Sequence, residues 1–347
     1  RGAWVRLLLD AMGNFSPIMR QARGYAKPDG VCLVVGTCAR GAWVDNSFGD
    51  LIYSFTPVRG EKQYFWEAFP SKDLHGSKEE SRTTYMFTYV DADPARGSLA
   101  EMFDDYLDLL PSYSGARGPN GEAPDVDGMK VSRALCGMFP CYYDSPLPIK
   151  YDRIMQVGDS SGLQSPLSFG GFGSMLRHLG RVSGGISEAL DADLTSKEDL
   201  DAMSPYLPSL STMWLFQKAM SVSVGKPVPD PDIINKVLSS NFKTMDKLGK
   251  GVMMPFLQDV IQLPGLFSTI AGMSLYDPLL VPPLLLWVGP APVVTWTGHF
   301  AQLAAYTALY KVGSAVLPSA EKGMDARSKY YFRRKLEAWK FGSGNDY

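Results

Sequence analysis

The segment VGDSSGLQSPLSFGGFGSMLRHLGR (residues 157–181) is the most informative part of this sequence. A short apolar run, residues 154–157, predicts the end of a β-strand just before it. Gly158-Asp159 breaks that run, small residues lead into a glycine-rich turn, and a helix is predicted over residues 175–190. These are the parts of a nucleotide site, because glycines let a ligand approach the backbone and the N–H groups of a helix start bind anions or polarised oxygens.

This order of residues resembles the second flavin-contacting motif of FAD-dependent oxidoreductases built like glutathione reductase and p-hydroxybenzoate hydroxylase. Geranylgeranyl reductases and lycopene cyclases belong to the same group. In these proteins a Gly-Asp pair after a strand holds the ribityl chain, and the following proline and glycines lie against the flavin ring. The matching residues here are Gly158, Asp159, Pro166, Gly170, Gly171 and Gly173. The whole stretch is most similar to a group of plant, algal and cyanobacterial FAD-dependent oxidoreductases.

A second motif lies at the start of the chain. Residues 4–9 predict a strand, and the turn after it contains Asp10, Gly13 and Ser16. This spacing resembles the family motif in which an acidic residue and a glycine support the flavin, with Ala11 intervening as in the lycopene-cyclase-like branch. The alternative is an ordinary Asp-Gly turn.

The dinucleotide fingerprint G-x-G-x-x-G does not follow a strand near Arg1. In the resembled family this glycine motif binds the pyrophosphate, and it would precede the point where the present sequence begins. We therefore expect that the sequence is a fragment and that this chain alone binds FAD weakly or not at all.

Composition narrows the classes of function. The chain has 347 residues, of which 45% are hydrophobic and 20% charged, so it can bury a substantial core. A net charge of −2 argues against a nucleic-acid partner, which needs a basic face. The four cysteines are spaced C-x5-C and C-x4-C and only three histidines exist, so we predict no metal site and expect free thiols.

Four further runs, residues 31–36, 51–58, 63–70 and 83–90, are rich in β-branched and aromatic residues and predict an antiparallel sheet. With the family resemblance, the expected architecture is α/β. It combines a partial glutathione-reductase-like FAD-binding fold, an antiparallel β-sheet substrate domain and a C-terminal helical appendage. The corresponding ranges are 1–30 and 129–195 for the FAD-binding fold, 31–128 for the sheet, and 196–347 for the helices. The alternating aromatics either line an apolar pocket or fill the core.

Glu67 is the candidate catalytic residue, because it interrupts an apolar strand between Trp66 and Ala68. A carboxyl group with apolar neighbours has a raised pKa and can act as an acid or a base. In lycopene cyclases a glutamate on an aromatic-rich strand has a comparable role. Alternatively, Glu67 faces solvent or pairs with an arginine such as Arg82.

Two helices carry further signals. Ser98 and Glu101 predict a capping box at the start of a helix over residues 98–110. A polar Gly/Pro loop, residues 112–128, is predicted to follow it. In the helix after the glycine turn, Arg177 and His178 point about 100° apart. His178 is either a proton donor near the flavin or a structural histidine. Arg177, Arg181 or both are expected to pair with carboxylates or cofactor phosphates.

From residue 199 onward, apolar residues at helical spacing predict several helices. Residues 278–310 contain no Asp, Glu, Lys or Arg but five prolines, so a regular spanning helix is not expected at their start. Residues 293–317 predict one apolar helix, and a basic segment from Arg327 to Lys340 follows. This combination fits a protein that lies on a membrane surface. The alternative is a buried helical pair with a solvated tail.

Two functional hypotheses remain. The first is an FAD-dependent oxidoreductase, working as a reductase, monooxygenase or cyclase-like enzyme on a lipophilic, isoprenoid-type substrate. For it the resemblance implies NAD(P)H as a candidate electron donor and residence in the chloroplast. The second is a non-catalytic, membrane-associated binding or assembly factor on a flavoprotein scaffold.

Overall fold

The fold is described from a computed structural model of the chain. It describes residues 5–41, 49–71, 81–114, 126–168 and 170–347, with only the backbone of residues 317 and 318. Three predicted features therefore lie partly outside the described residues: the first residue of the strand over 4–9, most of the loop over 112–128, and Phe169 in the glycine turn.

The described strands agree with the predicted runs in place, with different ends. They are β1 Leu8–Asp10, β2 Gly30–Arg40, β3 Asp50–Tyr53, β4 Phe65–Ser71, β5 Ser81–Val90, β6 Lys130–Cys141 and β7 Ile154–Gln156. Strands β3, β4, β5, β2 and β6 form one antiparallel sheet in that order, whereas β1 and β7 pair in parallel.

The described helices are short in the first half of the chain and dominate the second half. They are α1 Pro17–Ala22, α2 Leu99–Ser114, α3 Gly171–Asp191, α4 Lys197–Asp201, α5 Pro208–Ala219, α6 Ile233–Leu248, α7 Lys250–Leu257, α8 Leu263–Tyr276, α9 Val281–Val288, α10 Pro290–Ala320 and α11 Ala326–Gly342. The architecture is thus mixed α/β, with an antiparallel sheet and many helices.

The chain forms two compact units. The helical unit comprises Arg1–Lys27, Tyr142–Ala219 and Val237–Tyr347, and the sheet unit comprises Pro28–Cys141 and Met220–Lys236. Two boundaries therefore differ from the prediction. Strand β6 belongs to the sheet and not to the returning segment over 129–195, because it pairs with β2 along its whole length. Residues 220–236 also join the sheet unit, where Val222 bridges to Val90.

The core of the sheet unit lies between one sheet face and α2. Trp66 and Met86 from the sheet pack against Tyr106 and Leu110 of the helix, and all four are fully buried. The predicted capping box starts this helix: the Glu101 N–H donates to Ser98 Oγ at 3.2 Å, and the Ser98 N–H donates to the Glu101 carboxylate at 3.1 Å. Many of the alternating aromatic residues therefore fill the core. This was one of the two predicted alternatives, the other being the lining of an apolar pocket.

None of the four cysteines is in a disulfide. Cys32, Cys38 and Cys141 are buried, as expected, whereas Cys136 is exposed. Cys38 is buried beside Ser71 and Ser132. Hydrogen bonds from these hydroxyls and their neighbours outweigh burial and lower the pKa of its thiol to about 7.

The C-terminal helices include the predicted apolar helix, which extends over α10, from Pro290 to Ala320. Its apolar faces pack on α5 and α11, and Trp296 Nε1 donates to the Thr212 carbonyl oxygen at 3.0 Å. Among the residues described, no helix combines the length and the hydropathy that crossing a bilayer requires.

The basic segment does not form a solvated tail. It folds as α11, and its three arginines pair with carboxylates of the helical unit. Arg333 donates to Glu188 and to Glu321 at 2.7 Å each, and the buried Arg334 approaches Glu188 and Glu337. The guanidinium groups of Arg333 and Arg334 therefore pair with carboxylates of the same unit. The sequence analysis had instead linked this basic segment to lipid headgroups.

The capping box gives a first test of the sheet unit. Ser98→Ala should lower the free energy of unfolding by about 1 kcal/mol, because the N–H of Glu101 loses its acceptor. Ser112→Ala, on the exposed side of the same helix, is the matched control and should change stability by less than about 0.5 kcal/mol. Urea denaturation followed by circular dichroism measures both values, and equal effects of the two substitutions would contradict this role of Ser98.

Candidate functional site

The two predicted motifs meet at the carboxyl ends of β1 and β7. The strands pair in parallel with Asp10 beside Gln156, so the turns after them are neighbours. The Ser160 hydroxyl donates to the Asp10 carbonyl oxygen at 2.6 Å, and the Val157 N–H donates to the same oxygen at 2.9 Å. Ligands of open α/β sheets bind outside the carboxyl ends of parallel strands. The structure thus brings Asp10, Gly13 and Ser16 together with Gly158 and Asp159.

Asp10 has a structural role in this arrangement. It is buried, and its carboxylate accepts hydrogen bonds from the Ser16 hydroxyl and from the Met12 N–H. Ser16 in turn accepts from the N–H groups of Ile18 and Met19 at 3.1 Å each and so caps α1. Gly13 begins the 3-10 turn between Asp10 and Ser16. The Gly13 carbonyl oxygen accepts a hydrogen bond from the Ser16 N–H group. The first motif is therefore a rigid support for the strand end.

Gly158 and Asp159 begin a second 3-10 turn, Gly158–Ser161. Gly158 has a φ of +64°, a conformation that glycine adopts without the steric cost that other residues have. A side chain there would also meet Met175 of α3 at 2.9 Å. The glycine therefore directs the chain from the strand end toward the start of α3 and places Asp159 beside that helix.

Asp159 is the carboxylate that the structure leaves available. It is half-buried, and burial raises the pKa of its carboxyl group. Its Oδ1 lies 2.4 Å from the point that a Cβ on Gly171 would occupy, so glycine is required there for the close approach. The carboxylate makes no hydrogen bond to any described residue. A desolvated acceptor of this kind is suited to a hydroxyl group of a ligand.

The start of α3 supplies donors next to this carboxylate. Gly170 is the N-cap residue and has no side chain to cap the helix, so the first N–H groups are not satisfied by a cap. Pro166 is buried in the turn that precedes the helix. Gly173 faces open space, because a Cβ built on it meets no atom within 4 Å. All the predicted cofactor-binding residues thus lie around one strand-turn-helix junction of the helical unit.

A cavity of about 440 Å³ lies along another face of α3. Gly170, Gly173, Ser174, Arg177 and His178 form its α3 wall, and residues of α5, α7 and the C-terminal segment complete it. The cavity therefore begins at the glycine turn and extends away from Asp159, which approaches the helix at Gly171.

The two basic residues on this wall have different partners, as their spacing predicted. Arg177 pairs with Asp346 through two contacts of 2.6 Å. His178 is buried, and its Nδ1 accepts from Arg181 Nε at 2.8 Å. Burial, with the positive charges of Arg181 and Arg177, lowers the pKa of His178 to about 2. His178 is therefore the structural histidine of the two alternatives, and it is neutral at pH 7.

Glu67 lies in the sheet unit, on the face of β4 opposite to the one that packs on α2, because it follows Trp66 in the strand. It is half-buried and stands opposite Tyr85. Its charge contributes to the raised pKa values of Tyr85 and Cys32, for which burial is the larger cause. Arg82, the suggested partner, lies 3.6 Å from Asp50. The catalytic role of Glu67 stays a prediction.

Two polar residues escaped the sequence analysis. Ser160 ties the two turns together through its hydroxyl, and its position after Gly-Asp was the only local signal. Asp259 lies on the cavity wall, where it accepts from Ser168, and burial raises the pKa of its carboxyl group. No sequence signal connects Asp259 with Ser168, because they meet only through the packing of α7 beside the glycine turn.

No protein-family model matches the sequence, and no curated protein matches it. Among solved structures, the chain is similar to a geranylgeranyl bacteriochlorophyll reductase-like protein from Thermoplasma acidophilum, with 13% identity, a TM-score of 0.45, and 82% of this chain and 62% of that chain covered. It is also similar to the halogenase PltM, with 11% identity, a TM-score of 0.41, and 98% of this chain and 64% of that chain covered.

The flavin-dependent halogenase CmlS is a third similar structure, with 16% identity, a TM-score of 0.36, and 70% of this chain and 45% of that chain covered. The chain thus spans less than two thirds of the length of these three proteins. Scores this low assign neither the fold subtype nor the function. The narrower resemblance to plant-type and cyclase-like enzymes stays a prediction.

The unpartnered carboxylate should cost stability in the ligand-free protein. Because the folded-state pKa of Asp159 is raised above its unfolded value, the folded protein loses stability as pH rises through the range between those values. Asp159→Asn should therefore increase the free energy of unfolding at pH 7 by about 0.5 kcal/mol, a small gain because the group remains partly hydrated.

The gain should shrink as pH falls, because protonation removes the charge of the wild-type carboxyl group. Asp127→Asn, at an exposed turn position outside the helices, is the control and should show no such gain. Urea titrations at pH 7 and pH 4.5 measure the difference, and a destabilised Asp159→Asn variant at pH 7 would show that the carboxylate has a stabilising partner.

Proposed function

We propose that this chain is part of an FAD-dependent oxidoreductase and that the junction of β7, Gly158-Asp159 and α3 contacts the flavin. The subtype would be the glutathione-reductase-like fold shared by p-hydroxybenzoate hydroxylase, geranylgeranyl reductases and lycopene cyclases. The substrate would be lipophilic and of the isoprenoid type. NAD(P)H as the electron donor and a chloroplast location are part of the proposal on the family resemblance alone.

One observation carries the proposal: the half-buried Asp159 carboxylate, which has no hydrogen-bond partner among the described residues. An isolated carboxylate is costly to desolvate, and its position at the carboxyl ends of two parallel strands is a ligand position. A sugar-alcohol chain offers hydroxyl donors at the spacing that such an acceptor can use. The residues present therefore fit the ribityl part of a flavin.

The remaining residues of the junction have complementary tasks. Gly171 permits Asp159 to approach the helix start, and the uncapped N–H groups of α3 offer donors for a carbonyl oxygen of the ring. Asp10 and Ser16 keep the neighbouring turn rigid. Bound FAD would supply hydride or electron transfer, whereas the chain would orient the cofactor and shield it from water.

The flavin proposal predicts the effect of one charge. The full gene product should carry flavin absorbance bands between 350 and 500 nm, and Asp159→Asn should weaken FAD binding about 10- to 100-fold, because a charge-assisted hydrogen bond contributes about 1.5–3 kcal/mol. Equilibrium dialysis against FAD, on the full gene product and on residues 1–347, measures the affinity.

Asp127→Asn is again the control and should leave FAD affinity unchanged. The same Asp159→Asn protein should be at least as stable as wild type, so a loss of flavin cannot be attributed to unfolding. A full gene product that binds no FAD, or whose affinity is the same after Asp159→Asn, would exclude this site. The working hypothesis would then be a non-catalytic binding or assembly factor.

A specific observation also supports association with a membrane surface, which we propose for the segment from the end of α8 through α9. Leu275, Leu279 and Leu286 are 79%, 89% and 82% exposed. Residues 278–310 carry no Asp, Glu, Lys or Arg. Soluble surfaces rarely present large leucine side chains so openly without a partner. A bilayer would supply a lipophilic substrate as well as cover this segment.

Nearby lysines fit the headgroup region. Lys247 lies 3.7 Å from the ring centroid of Tyr276, and Lys250 is exposed in the next helix. An aromatic ring with a lysine is a common pair at the boundary between lipid headgroups and acyl chains. The basic helix α11 is not part of this proposal, because its arginines pair with carboxylates of the helical unit.

Vesicle sedimentation tests the membrane proposal. The protein should bind vesicles of phosphatidylcholine with 30% phosphatidylglycerol, and Leu279→Glu with Leu286→Glu should reduce binding roughly tenfold or more, since each buried leucine contributes about 1.5–3 kcal/mol. Val131→Glu, an exposed apolar position in the sheet unit, is the control. Equal binding of the double variant and the control would exclude this segment.

A further inference from the structure

We propose that the cavity beside α3 is a second binding site, for an uncharged and largely apolar molecule that presents one oxygen acceptor to the Nε2–H group of His178. The site shares Gly170 and Gly173 with the glycine turn and extends from there away from Asp159, and it can be tested without flavin. It uses the face of α3 that carries Gly173, Arg177 and His178.

His178 provides the directional group. It is 4% exposed, so it has little access to bulk water. Its Nδ1 accepts the hydrogen bond from Arg181, which requires the single proton of the neutral ring to be on Nε2. That nitrogen has no hydrogen-bond partner among the described residues, although the side chain lines the cavity. A donor on the wall of a largely apolar cavity gains a hydrogen bond when a ligand supplies the acceptor.

The charged side chains on the wall already have partners within the protein, which favours an uncharged ligand. The guanidinium of Arg177 is held by both carboxylate oxygens of Asp346, so it offers no free charge to an anion. Asp259 accepts a hydrogen bond from Ser168, and burial raises the pKa of its carboxyl group, so it attracts a cation weakly. A charged ligand would lose its hydration without gaining an unpaired counter-charge.

Most of the remaining lining is apolar, although Ser165, Ser174, Ser209 and Gln258 add hydroxyl and amide groups. Leu163, Leu207, Leu210, Leu257 and Val260 surround the polar group. A volume of about 440 Å³ lies within the range of small-molecule sites, which are mostly apolar with a few placed polar groups. A ketone or quinone with an apolar body fits these conditions, because its carbonyl oxygen accepts one hydrogen bond and needs none in return.

Benzophenone and diphenylmethane form a matched pair of probes. Both are uncharged and carry two phenyl rings, but only benzophenone has a carbonyl oxygen. Equilibrium dialysis against the purified protein without added flavin should show saturable binding of both, with benzophenone bound roughly 2- to 10-fold more tightly, as expected for one hydrogen bond. In His178→Phe the two affinities should become equal. Irradiation of bound benzophenone should attach it to peptides of α3, α5 or α7.

Two glycines of α3 provide matched controls that do not alter His178. A Cβ on Gly173 or on Gly180 meets no atom within 4 Å, so both positions accept leucine, and both substitutions favour the helix equally. Only Gly173 lines the cavity. Gly173→Leu should reduce binding of both probes at least tenfold, and Gly180→Leu should not change it.

The proposal is overturned if neither probe binds, if benzophenone and diphenylmethane bind equally to wild type, or if Gly173→Leu binds as wild type does. Cross-links confined to peptides outside α3, α5 and α7 would likewise overturn it. Should His178→Phe fail to fold, the probe pair on wild type and the two glycine variants still decide the question.

Discussion

The parallel pairing of β1 with β7 is the constraint on which the candidate site depends. It joins two turns whose residues lie 150 positions apart, and the joint is closed by the Ser160 hydroxyl on the Asp10 carbonyl oxygen. Parallel neighbours end at the same edge, so both turns and the following helix start must lie together. Without this pair, Asp10 and Asp159 would be two unrelated loop residues.

Asp10 and Asp159 differ in burial and in hydrogen-bond donors, and these differences give their carboxylates different roles. Asp10 is nearly inaccessible and stable there because two donors satisfy its carboxylate. Asp159 is less buried but has no donor, so its pKa is raised. A group that costs stability without a partner is retained where a ligand provides the partner. The first carboxylate is therefore part of the scaffold, and the second is the one that can recognise a ligand.

Local patterns in the sequence predicted much of the fold. The alternating aromatic runs, the Ser98–Glu101 capping box and the strand-turn-helix order around Gly158 all depend on neighbouring residues, and they appear in the structure. Long-range pairings were not predictable. The extent of β6 depends on its pairing with β2. The partner of Arg177 is Asp346, which lies 169 positions later in the sequence. The cavity beside α3 exists only because helices distant in sequence pack around it.

Charge pairing bears on the C-terminal prediction, because the sequence alone does not show which carboxylates the basic residues meet. Glu321 lies only 12 positions before Arg333, but Glu188 lies 145 positions away and meets α11 only through the fold. Because Arg333 is paired with these carboxylates, it contributes little long-range attraction to anionic headgroups. What remains for a bilayer is apolar area, and the exposed leucines of the α8–α9 segment supply it. Membrane binding by this protein should therefore depend on buried apolar surface more than on salt concentration.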